Sequence, residues 1–418
     1  MTRRLLMVAY HFPPLAGSSG IQRTLRFVQQ LPKHGWEPIV LSANPRAYER
    51  TNSDLLAEVP DTVHVERAFA LNTAKHLALF GRYPAAWARP DRWQSWRWGA
   101  IPKGMELIRR LKPDAIWSTY PIATAHLIGA QLARRSGLPW IADFRDPMAQ
   151  DGYPADPATW RSYDQIEREA VTRAVSSVFT TPGAAEEYQR RYPAFAARIR
   201  VIENGYDEPS FAGLTGGGEV LNPGRITILH SGIVYPSERD PRALFAALGR
   251  LKTAGLINAA GFALRFRASA HDDMLKSFAA ENGIGDLIEL MPPVPYRDAL
   301  AEMMRADALL VMQGNNCNEQ IPAKVYEYLR AGRPILALAD PPGDTAKLLA
   351  NNGISGGVAL EDSAAVELAL KRFLAQLAQG EAPASLLETA RRHSREARTK
   401  ELVALLEQVL AHGVAGRK

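Results

Sequence analysis

The sequence has a single cysteine, Cys317, among its 418 residues. One cysteine cannot form a disulfide within the chain, so a disulfide-held fold is excluded and a reducing compartment is favoured. No apolar run approaches the roughly 20 residues that a membrane-spanning helix requires. The apolar residues 5–9 after Arg3 and Arg4 are typical of a buried strand rather than of a secretory signal. We therefore expect a cytoplasmic protein.

Several motifs that would identify a function directly are also missing. The sequence contains no GxGxxG loop for a dinucleotide and no repeat of 20–50 residues. It has no His and Asp cluster at the spacing of metal ligands. We therefore expect neither a metal nor another cofactor.

The net charge of +6 is unevenly distributed along the chain. Residues 1–200 contain 27 Lys and Arg against 18 Asp and Glu, whereas residues 201–418 contain 23 against 26. A basic N-terminal half indicates a domain that meets an anionic surface or substrate. The alternative is a set of solvated arginines on an ordinary basic protein.

Short apolar runs alternate with helical patterns, which predicts parallel sheets. Residues 4–9 have a strand pattern, residues 10–20 a loop composition, residues 21–34 a helical pattern and residues 38–42 a second strand pattern. This order is a βαβ unit, which implies a parallel sheet. Further strands are predicted at residues 115–119, 139–143, 177–181, 200–202, 226–230, 263–268, 287–290, 308–312, 334–339 and 357–360.

The chain length and a linker-like segment indicate two domains. Residues 204–224 are rich in Gly, Pro, Asn and Ser and include Gly216-Gly217-Gly218. We predict one domain over residues 1–210 and a second domain over residues 225–393. Residues 394–418 are predicted to form a helix that packs towards the first domain.

Two carboxylates eight residues apart, Glu319 and Glu327, bracket a predicted helix start. The strand at 308–312 precedes them, and Pro322 and Lys324 lie between them. Free N–H groups at a helix start can hold an anion, and carboxylates accept hydrogen bonds from sugar hydroxyls. An anion site flanked by two such acids suggests a nucleotide sugar.

The order of four motifs resembles that of the retaining glycosyltransferases of family 4. These motifs are Gly17-Ser18-Ser19-Gly20, Val201-Ile202-Glu203-Asn204-Gly205-Tyr206-Asp207, His230-Ser231-Gly232, and the Glu319 to Glu327 spacing followed by Ala331-Gly332-Arg333-Pro334. Asp143-Phe144-Arg145-Asp146 and Ile321-Pro322-Ala323-Lys324 also resemble a bacterial subgroup that builds surface polysaccharides. The resemblance implies the α/β GT-B fold, in which two Rossmann-like parallel-sheet domains face a cleft and a C-terminal helix crosses back to the first domain. It also implies that the domain over residues 1–210 binds the acceptor and that the domain over residues 225–393 binds the nucleotide sugar.

The resemblance implies transfer of a hexose-type sugar, with retention and without a metal, from a nucleotide diphosphate to a glycan or polyprenyl-linked acceptor. It implies that Glu319 and Arg239 are catalytic, with Glu319 at the sugar hydroxyls and Arg239 at the diphosphate. Glu327 would accept from the ribose hydroxyls. The other expected sugar-donor contacts are Pro322, Ala323, Lys324, Gly17, Gly20 and Gly232.

Ile233 stands where the family often has an arginine. Diphosphate binding would therefore depend more strongly on Arg239 and Lys324.

In the first domain, residues that follow strands are candidates for the acceptor or cleft side of the site. These are His11, Tyr120, Asp143, Arg145 and Asp146, because sites of parallel sheets form at the carboxyl ends of strands. Asp143, Arg145 and Asp146 could equally form an internal ion-pair network. His126 falls within a predicted helix and receives no catalytic role.

Half of the eight tryptophans lie within twelve positions, interleaved with arginines. Trp93, Trp96, Trp98, Arg92 and Arg97 are therefore candidates for docking on the inner face of the membrane, where a lipid-linked acceptor would lie. The alternative is a folded subdomain with stacked Arg–Trp pairs. No nucleic-acid motif accompanies these residues, so no nucleic-acid partner is expected.

Two other functions are compatible with the same motifs. One is a GT-B nucleotide-sugar epimerase or hydrolase, which would need acid and base groups that the sequence does not clearly supply. The other is a non-catalytic nucleotide-sugar-binding protein. The sequence leaves the base, the sugar, the acceptor and the oligomeric state open.

Overall fold

The computed structural model describes residues 2–17, 20–53, 55–214, 220–354 and 356–415. The chain divides into two compact units. The first unit contains Met1–Asn204 together with Arg395–Lys418, and the second contains Gly205–Ser394. Gly216-Gly217-Gly218, Ser18 and Ser19 lie outside the described residues. Within the described ranges, no helix combines the length and the apolar character needed to cross a bilayer.

The first unit is built on a seven-stranded parallel sheet. Its strands are β1 (Arg3–Val8), β2 (Trp36–Ala43), β3 (His64–Ala68), β4 (Ala115–Thr119), β5 (Trp140–Arg145), β6 (Ser176–Phe179) and β7 (Ile199–Val201). They are ordered β3-β2-β1-β4-β5-β6-β7 across the sheet, so the direction of strand addition reverses between β1 and β4. The inner strands are apolar on both faces because helices cover both faces.

Six helices of the first unit precede the second unit in the chain. They are α1 (Gly20–Gln30), α2 (Thr73–His76), α3 (Trp96–Leu111), α4 (Ala123–Ser136), α5 (Pro157–Arg173) and α6 (Pro182–Arg191). The predicted helix over 21–34 is α-helical only to Gln30 and continues as a 3₁₀ turn over Leu31–His34. Pro32 explains the change, because proline removes an N–H from the α-helical hydrogen-bond series.

The second unit contains a five-stranded parallel sheet. Its strands are β8 (Ile226–Ser231), β9 (Phe262–Arg267), β10 (Ile288–Met291), β11 (Ala308–Gln313) and β12 (Ile335–Ala339), in the order β10-β9-β8-β11-β12. Its helices are α7 (Glu208–Phe211), α8 (Arg242–Thr253), α9 (Asp272–Glu281), α10 (Tyr296–Arg305), α11 (Ala323–Ala331), α12 (Asp344–Asn351), α13 (Ser363–Gln379) and α14 (Leu387–Ala390).

The C-terminal helix α15 (Arg395–Ala415) belongs to the first unit. Leu402, Leu405 and Leu406 are buried in the same apolar cluster as Leu25 and Val28 of α1. The helix therefore completes the cover on one face of the first sheet.

The predicted fold class is confirmed, because both sheets are parallel and Rossmann-like. One predicted strand is wrong, and one strand was not predicted. Residues 357–360 form no strand and make a loop hydrogen bond from Val358 N–H to the Ala337 carbonyl. Strand β3 was missed because His64, Glu66 and Arg67 give an edge strand little apolar character.

A buried ion pair links helix α1 to strand β5. Arg23 donates from Nε and Nη2 to the two carboxylate oxygens of Asp143 at 3.0 and 2.8 Å. The same guanidinium donates to the carbonyls of Ile202 and Glu203, each at 3.0 Å. Thr119 donates to Asp143 at 2.8 Å. Both charged groups are buried. Each therefore needs the opposite charge of the other to offset the free-energy cost of removing it from water.

We expect Arg23→Met to destabilise the protein by about 3–5 kcal/mol, because it leaves the Asp143 carboxylate buried without its cation. Urea unfolding measures the change. Arg168→Met is the matched control, since its partner Asp164 lies four residues away in an exposed pair and such pairs contribute about 0.3–0.5 kcal/mol. A loss below about 1 kcal/mol for Arg23→Met would contradict the structural role of the pair.

Candidate functional site

Each sheet has a position where the strand order reverses, and ligands of open α/β sheets bind at the carboxyl ends of strands there. In the second unit this position lies between β8 and β11. Strand β8 ends in His230 and Ser231, and β11 leads into residues 314–322 and then α11. Among the residues predicted for the nucleotide sugar, those of the second unit therefore lie on the two segments that meet at this position, whereas Gly17 and Gly20 belong to the first unit.

The segment carrying Glu319 is held by hydrogen bonds on both sides of that residue. Gln313 Nε2 donates to the carbonyls of Cys317 at 2.5 Å and Gln320 at 3.0 Å. Thr345 also donates to the Gln320 carbonyl, at 3.0 Å, and Asn318 donates to Asp340 at 2.6 Å. Glu319 itself is half-buried. The carboxylate is thus carried by a fixed loop just before α11.

Helix α11 brings a lysine against the end of β8. Pro322 is the N-cap residue, one position before the helix, and Ala323 is its first residue. Lys324 Nζ lies 2.9 Å from Nε2 of His230. Gly232 has φ +104°, and a Cβ at that position would lie 3.5 Å from Lys324 Nζ. A side chain at this φ would be strained, which accounts for the glycine.

The pKa values of Lys324 and His230 are both lowered well below their ordinary values. Burial is the main cause in each case. The charge of Arg239 lowers both pKa values further, whereas Glu327 opposes the shift of Lys324. His230 is therefore a neutral imidazole that can accept a hydrogen bond from Lys324.

Arg239 is fixed by the loop after β8. Its Nη1 donates to the Ile233 carbonyl at 2.7 Å, and its guanidinium lies 5.1 Å from the centre of the Tyr235 ring. Ile233 thus contributes its backbone carbonyl to the binding of Arg239. Arg239, Lys324 and His230 form one basic group of side chains, which we call the basic cluster.

Glu327 lies in the second turn of α11 and is half-buried. The Tyr296 hydroxyl donates to its Oε1 at 2.8 Å. Tyr328, the next residue, accepts a hydrogen bond from Ser231 N–H at 2.8 Å and so joins α11 to the end of β8. Sequence reasoning missed Tyr296, because only the tertiary structure brings the start of α10 beside α11.

In the first unit, His11, Gly20 and Arg145 lie together where the strand order reverses between β1 and β4. A Cβ on Gly20 would lie 2.5 Å from Arg145 Nη1 and 2.6 Å from His11 Nδ1. The first residue of α1 must therefore be glycine for these side chains to keep their places. Arg145 Nη1 also donates to the Tyr120 carbonyl at 3.4 Å. Gly17 is exposed and has φ +82°.

The structure corrects two predictions about the acceptor side. Asp143 is fully buried and its carboxylate is bound by Arg23 and Thr119, so the alternative of an internal ion-pair network applies to it. The Tyr120 side chain is also buried and lies 6.5 Å, centre to centre, from the His126 ring. Its backbone carbonyl accepts the hydrogen bond from Arg145. Asp146 is exposed at the end of β5.

The tryptophans predicted to dock on a membrane have different environments. Trp96 is fully buried, with its ring centre 5.9 Å from that of Tyr10, so its predicted contact with lipid is wrong. Trp93 is half-buried and donates to the Ala47 carbonyl at 3.2 Å. Trp98 is 61% exposed. The folded-subdomain alternative therefore describes Trp93 and Trp96.

The two predicted docking arginines lie beside these rings. Arg92 pairs with Glu49 at 2.7 Å, and its guanidinium lies 5.6 Å from the Trp93 ring centre. The Arg97 guanidinium lies 5.9 Å from the Trp98 ring centre.

Comparisons with known proteins agree with this fold. Residues 19–205 match the family described as Glycosyl transferase 4-like domain. A search of curated protein sequences finds no match to the chain. Among solved structures, trehalose 6-phosphate synthase from Burkholderia multivorans has a TM-score of 0.68 at 14% identity, covering 100% of this chain and 99% of that one.

Two further structures cover 98% of this chain and 100% of their own. Sucrose-phosphate synthase from Thermosynechococcus elongatus has a TM-score of 0.65 at 16% identity. The Anabaena protein HepE in complex with UDP has a TM-score of 0.65 at 11% identity. The likeness spans the whole chain and establishes the GT-B type of fold.

We expect Arg145→Met to raise the pKa of His11. Burial, and to a smaller extent the charge of Arg145, together lower that pKa to about 3. An unfolded histidine titrates near pH 6.5, so the stability that depends on neutral His11 is complete above pH 6.5 and lost as the pH falls towards 3. Imidazole resonances followed by NMR measure the shift.

His126 is the internal control for this experiment. Its pKa is lowered to about 4 by burial, against the charge of Asp143, which raises it. Arg145 does not contribute to this shift. An unchanged His11 pKa in the variant, with His126 also unchanged, would contradict the coupling between His11 and Arg145.

Proposed function

We propose that the protein is a glycosyltransferase that takes a sugar from a nucleotide diphosphate. The observation that carries this proposal is the basic cluster at the carboxyl ends of β8 and β11, with Glu319 and Glu327 on the same connecting segment. The match of residues 19–205 to a glycosyl transferase 4-like domain supports it. HepE, of the same fold, binds UDP and UDP-glucose.

The basic cluster suits a diphosphate leaving group. When the bond between the anomeric carbon and the phosphate oxygen breaks, the electron pair remains on the diphosphate and its negative charge increases. Lys324, Arg239 and the free N–H groups at the start of α11 would stabilise that charge. We propose that these groups act without a metal. Within the described ranges, no three His, Cys, Asp or Glu side chains gather as metal ligands.

The two acids would recognise different parts of the sugar donor. Glu319, on the fixed loop before α11, would accept hydrogen bonds from the hydroxyls of a hexose-type sugar. Glu327, one side of which is oriented by Tyr296, would accept from the ribose hydroxyls. Hydrogen-bonding groups already held in place lose little entropy on binding, which favours both affinity and correct orientation.

The finer parts of the proposal concern the acceptor and the stereochemistry. We propose transfer with retention, in which the leaving phosphate accepts the proton of the incoming hydroxyl. The acceptor would be a glycan or a lipid-linked sugar in the synthesis of a cell-surface polysaccharide. His11, Arg145 and Asp146 would face that acceptor, and neutral His11 would be a hydrogen-bonding group there rather than a cation.

We expect Glu319→Ala to reduce sugar transfer by more than about 100-fold, because it removes the acceptor for the sugar hydroxyls. UDP, GDP, ADP and TDP, tested by thermal shift, identify the nucleotide, since a bound ligand stabilises the folded state. Transfer from the corresponding nucleotide sugar is then measured. Glu388→Ala, which removes an exposed acid of the same unit, is the control.

The nucleotide without sugar should stabilise Glu319→Ala as much as the unchanged protein, since Glu319 is assigned to the sugar. Unchanged transfer by Glu319→Ala would contradict the site. Nucleotide-sugar cleavage without any acceptor would instead favour a hydrolase.

We expect nucleotide binding to be accompanied by proton uptake at Lys324. Burial and Arg239 lower its pKa well below the ordinary value, and a bound diphosphate would raise it again. At a pH between those two values, the neutral Lys324 amine takes up a proton on binding and becomes an ammonium. Calorimetry in two buffers with different ionisation heats, repeated at several pH values, measures the uptake. His230, Arg239 and Glu327 are the charged or titratable groups that face Lys324.

Lys324→Met should abolish the uptake and weaken nucleotide binding by about tenfold, the value of one charge-assisted hydrogen bond. Lys276→Met is the control, because Lys276 is exposed and pairs only with the exposed Asp273. Equal proton uptake by the Lys324 variant would assign the uptake to another group.

A further inference from the structure

We propose that the exposed part of residues 69–98 docks on an anionic lipid bilayer. This part of the first unit, called the 69–98 surface, differs from the tryptophan set predicted from the sequence. Its exposed apolar side chains are Phe69, Leu77, Leu79, Phe80, Trp87 and Trp98. Its basic side chains are Lys75, Arg82, Arg89, Arg92 and Arg97.

Large apolar side chains are concentrated on this surface. Among the described residues, nineteen such side chains are exposed, and six of them lie within these thirty positions. Phe80 is 96% exposed, Leu79 72% and Trp98 61%. Single exposed apolar residues are ordinary, but a concentration of them marks an interaction surface.

Phe80 lies in a turn whose backbone conformation is unfavourable for a bulky side chain. The backbone groups of Leu79 and Arg82 are hydrogen-bonded to each other at 2.8 and 3.0 Å around the pair Phe80-Gly81. Both turn residues have positive φ, +50° for Phe80 and +75° for Gly81. Asn-Gly is the favoured pair in such a turn, and a bulky side chain is strained there. Packing within the protein does not compensate, because the ring is almost fully exposed.

The surface rests on an ordered framework. Thr73 Oγ1 donates to the carbonyls of Trp87 and Arg92 at 2.8 and 3.0 Å, and Gln94 donates to the Ala86 carbonyl at 3.0 Å. A Cβ on Gly99 would lie 2.6 Å from the Phe69 carbonyl oxygen, so Phe69 lies against the start of α3, next to Trp98. The apolar side chains therefore project from a hydrogen-bonded scaffold.

The positive charge of the 69–98 surface favours an anionic partner. Residues 69–98 contain five Lys and Arg and one acid, Asp91. Asp91 is buried and accepts hydrogen bonds from Thr124 and from Trp93 N–H, so it does not balance the charge outside. Arg89 pairs with Asp156 and Arg92 with Glu49, so the excess positive charge comes from Lys75, Arg82 and Arg97. Apolar and aromatic side chains surrounded by cations match the boundary between acyl chains and anionic headgroups.

Vesicle co-sedimentation tests the proposal with the full chain. We expect binding to phosphatidylcholine vesicles that contain phosphatidylglycerol, and much weaker binding to phosphatidylcholine alone. Phe80→Asn should weaken the partitioning by about tenfold, because one aromatic side chain no longer enters the bilayer. The same variant should unfold at an equal or higher temperature, because Asn-Gly suits the turn. A folding defect therefore cannot account for the loss.

Leu79→Ser and Leu386→Ser provide a matched pair, since both leucines are 72% exposed and only Leu79 lies on the proposed surface. Only Leu79→Ser should weaken vesicle binding. Equal effects of the two changes, or vesicle binding by Phe80→Asn at the level of the unchanged protein, would overturn the proposal. Binding to RNA or to a protein, with none to either vesicle, would overturn it as well. Nucleotide binding by all variants should be unchanged, so this result is independent of the proposed transferase reaction.

Discussion

The reversal of strand order in each parallel sheet is the constraint on which the candidate site depends. All strands of a parallel sheet end at one edge, and adjacent crossovers leave in opposite directions only where the order reverses. In the second unit, the end of β8 and the segment after β11 are neighbours at this position. Lys324 comes from α11, and His230 and Arg239 come from the end of β8 and the loop after it. This geometry makes them neighbours.

In the second unit, burial of Lys324 and His230 lowers the pKa values of both groups. Burial of Lys324 beside His230, with Arg239 near, disfavours the charged form of the lysine. An anion bound between these basic groups would offset the repulsion between them. Because the groups are buried, the local dielectric constant is low and the attraction is stronger than in water. The fixed positions of Arg239 on the Ile233 carbonyl and of Glu327 on Tyr296 reduce the reorganisation that binding requires.

The tryptophan-rich segment, residues 87–98, contains both packed and exposed side chains. Trp93 and Trp96 pack with Tyr10, which ties the segment to the residues that follow β1. Trp87 and Trp98 are exposed on the same segment, with Phe80 at the tip of a strained turn. Trp93 and Trp96 pack against Tyr10 and hold the segment in place. Trp87, Trp98 and Phe80 expose large apolar side chains beside basic residues.

The sequence by itself determined the α/β class, nearly all strands, and the position of Glu319 and Glu327 around a helix start, because apolar periodicity and helix-start signals are local. It could not separate Trp96 from Trp98, or Asp143 from Arg145, because neighbours in sequence can have opposite burial. Tertiary structure alone decided that Asp143 is paired internally with Arg23 and that Lys324 meets His230. Those contacts join residues about 100 positions apart, and only the packing of the strands and helices sets such distances.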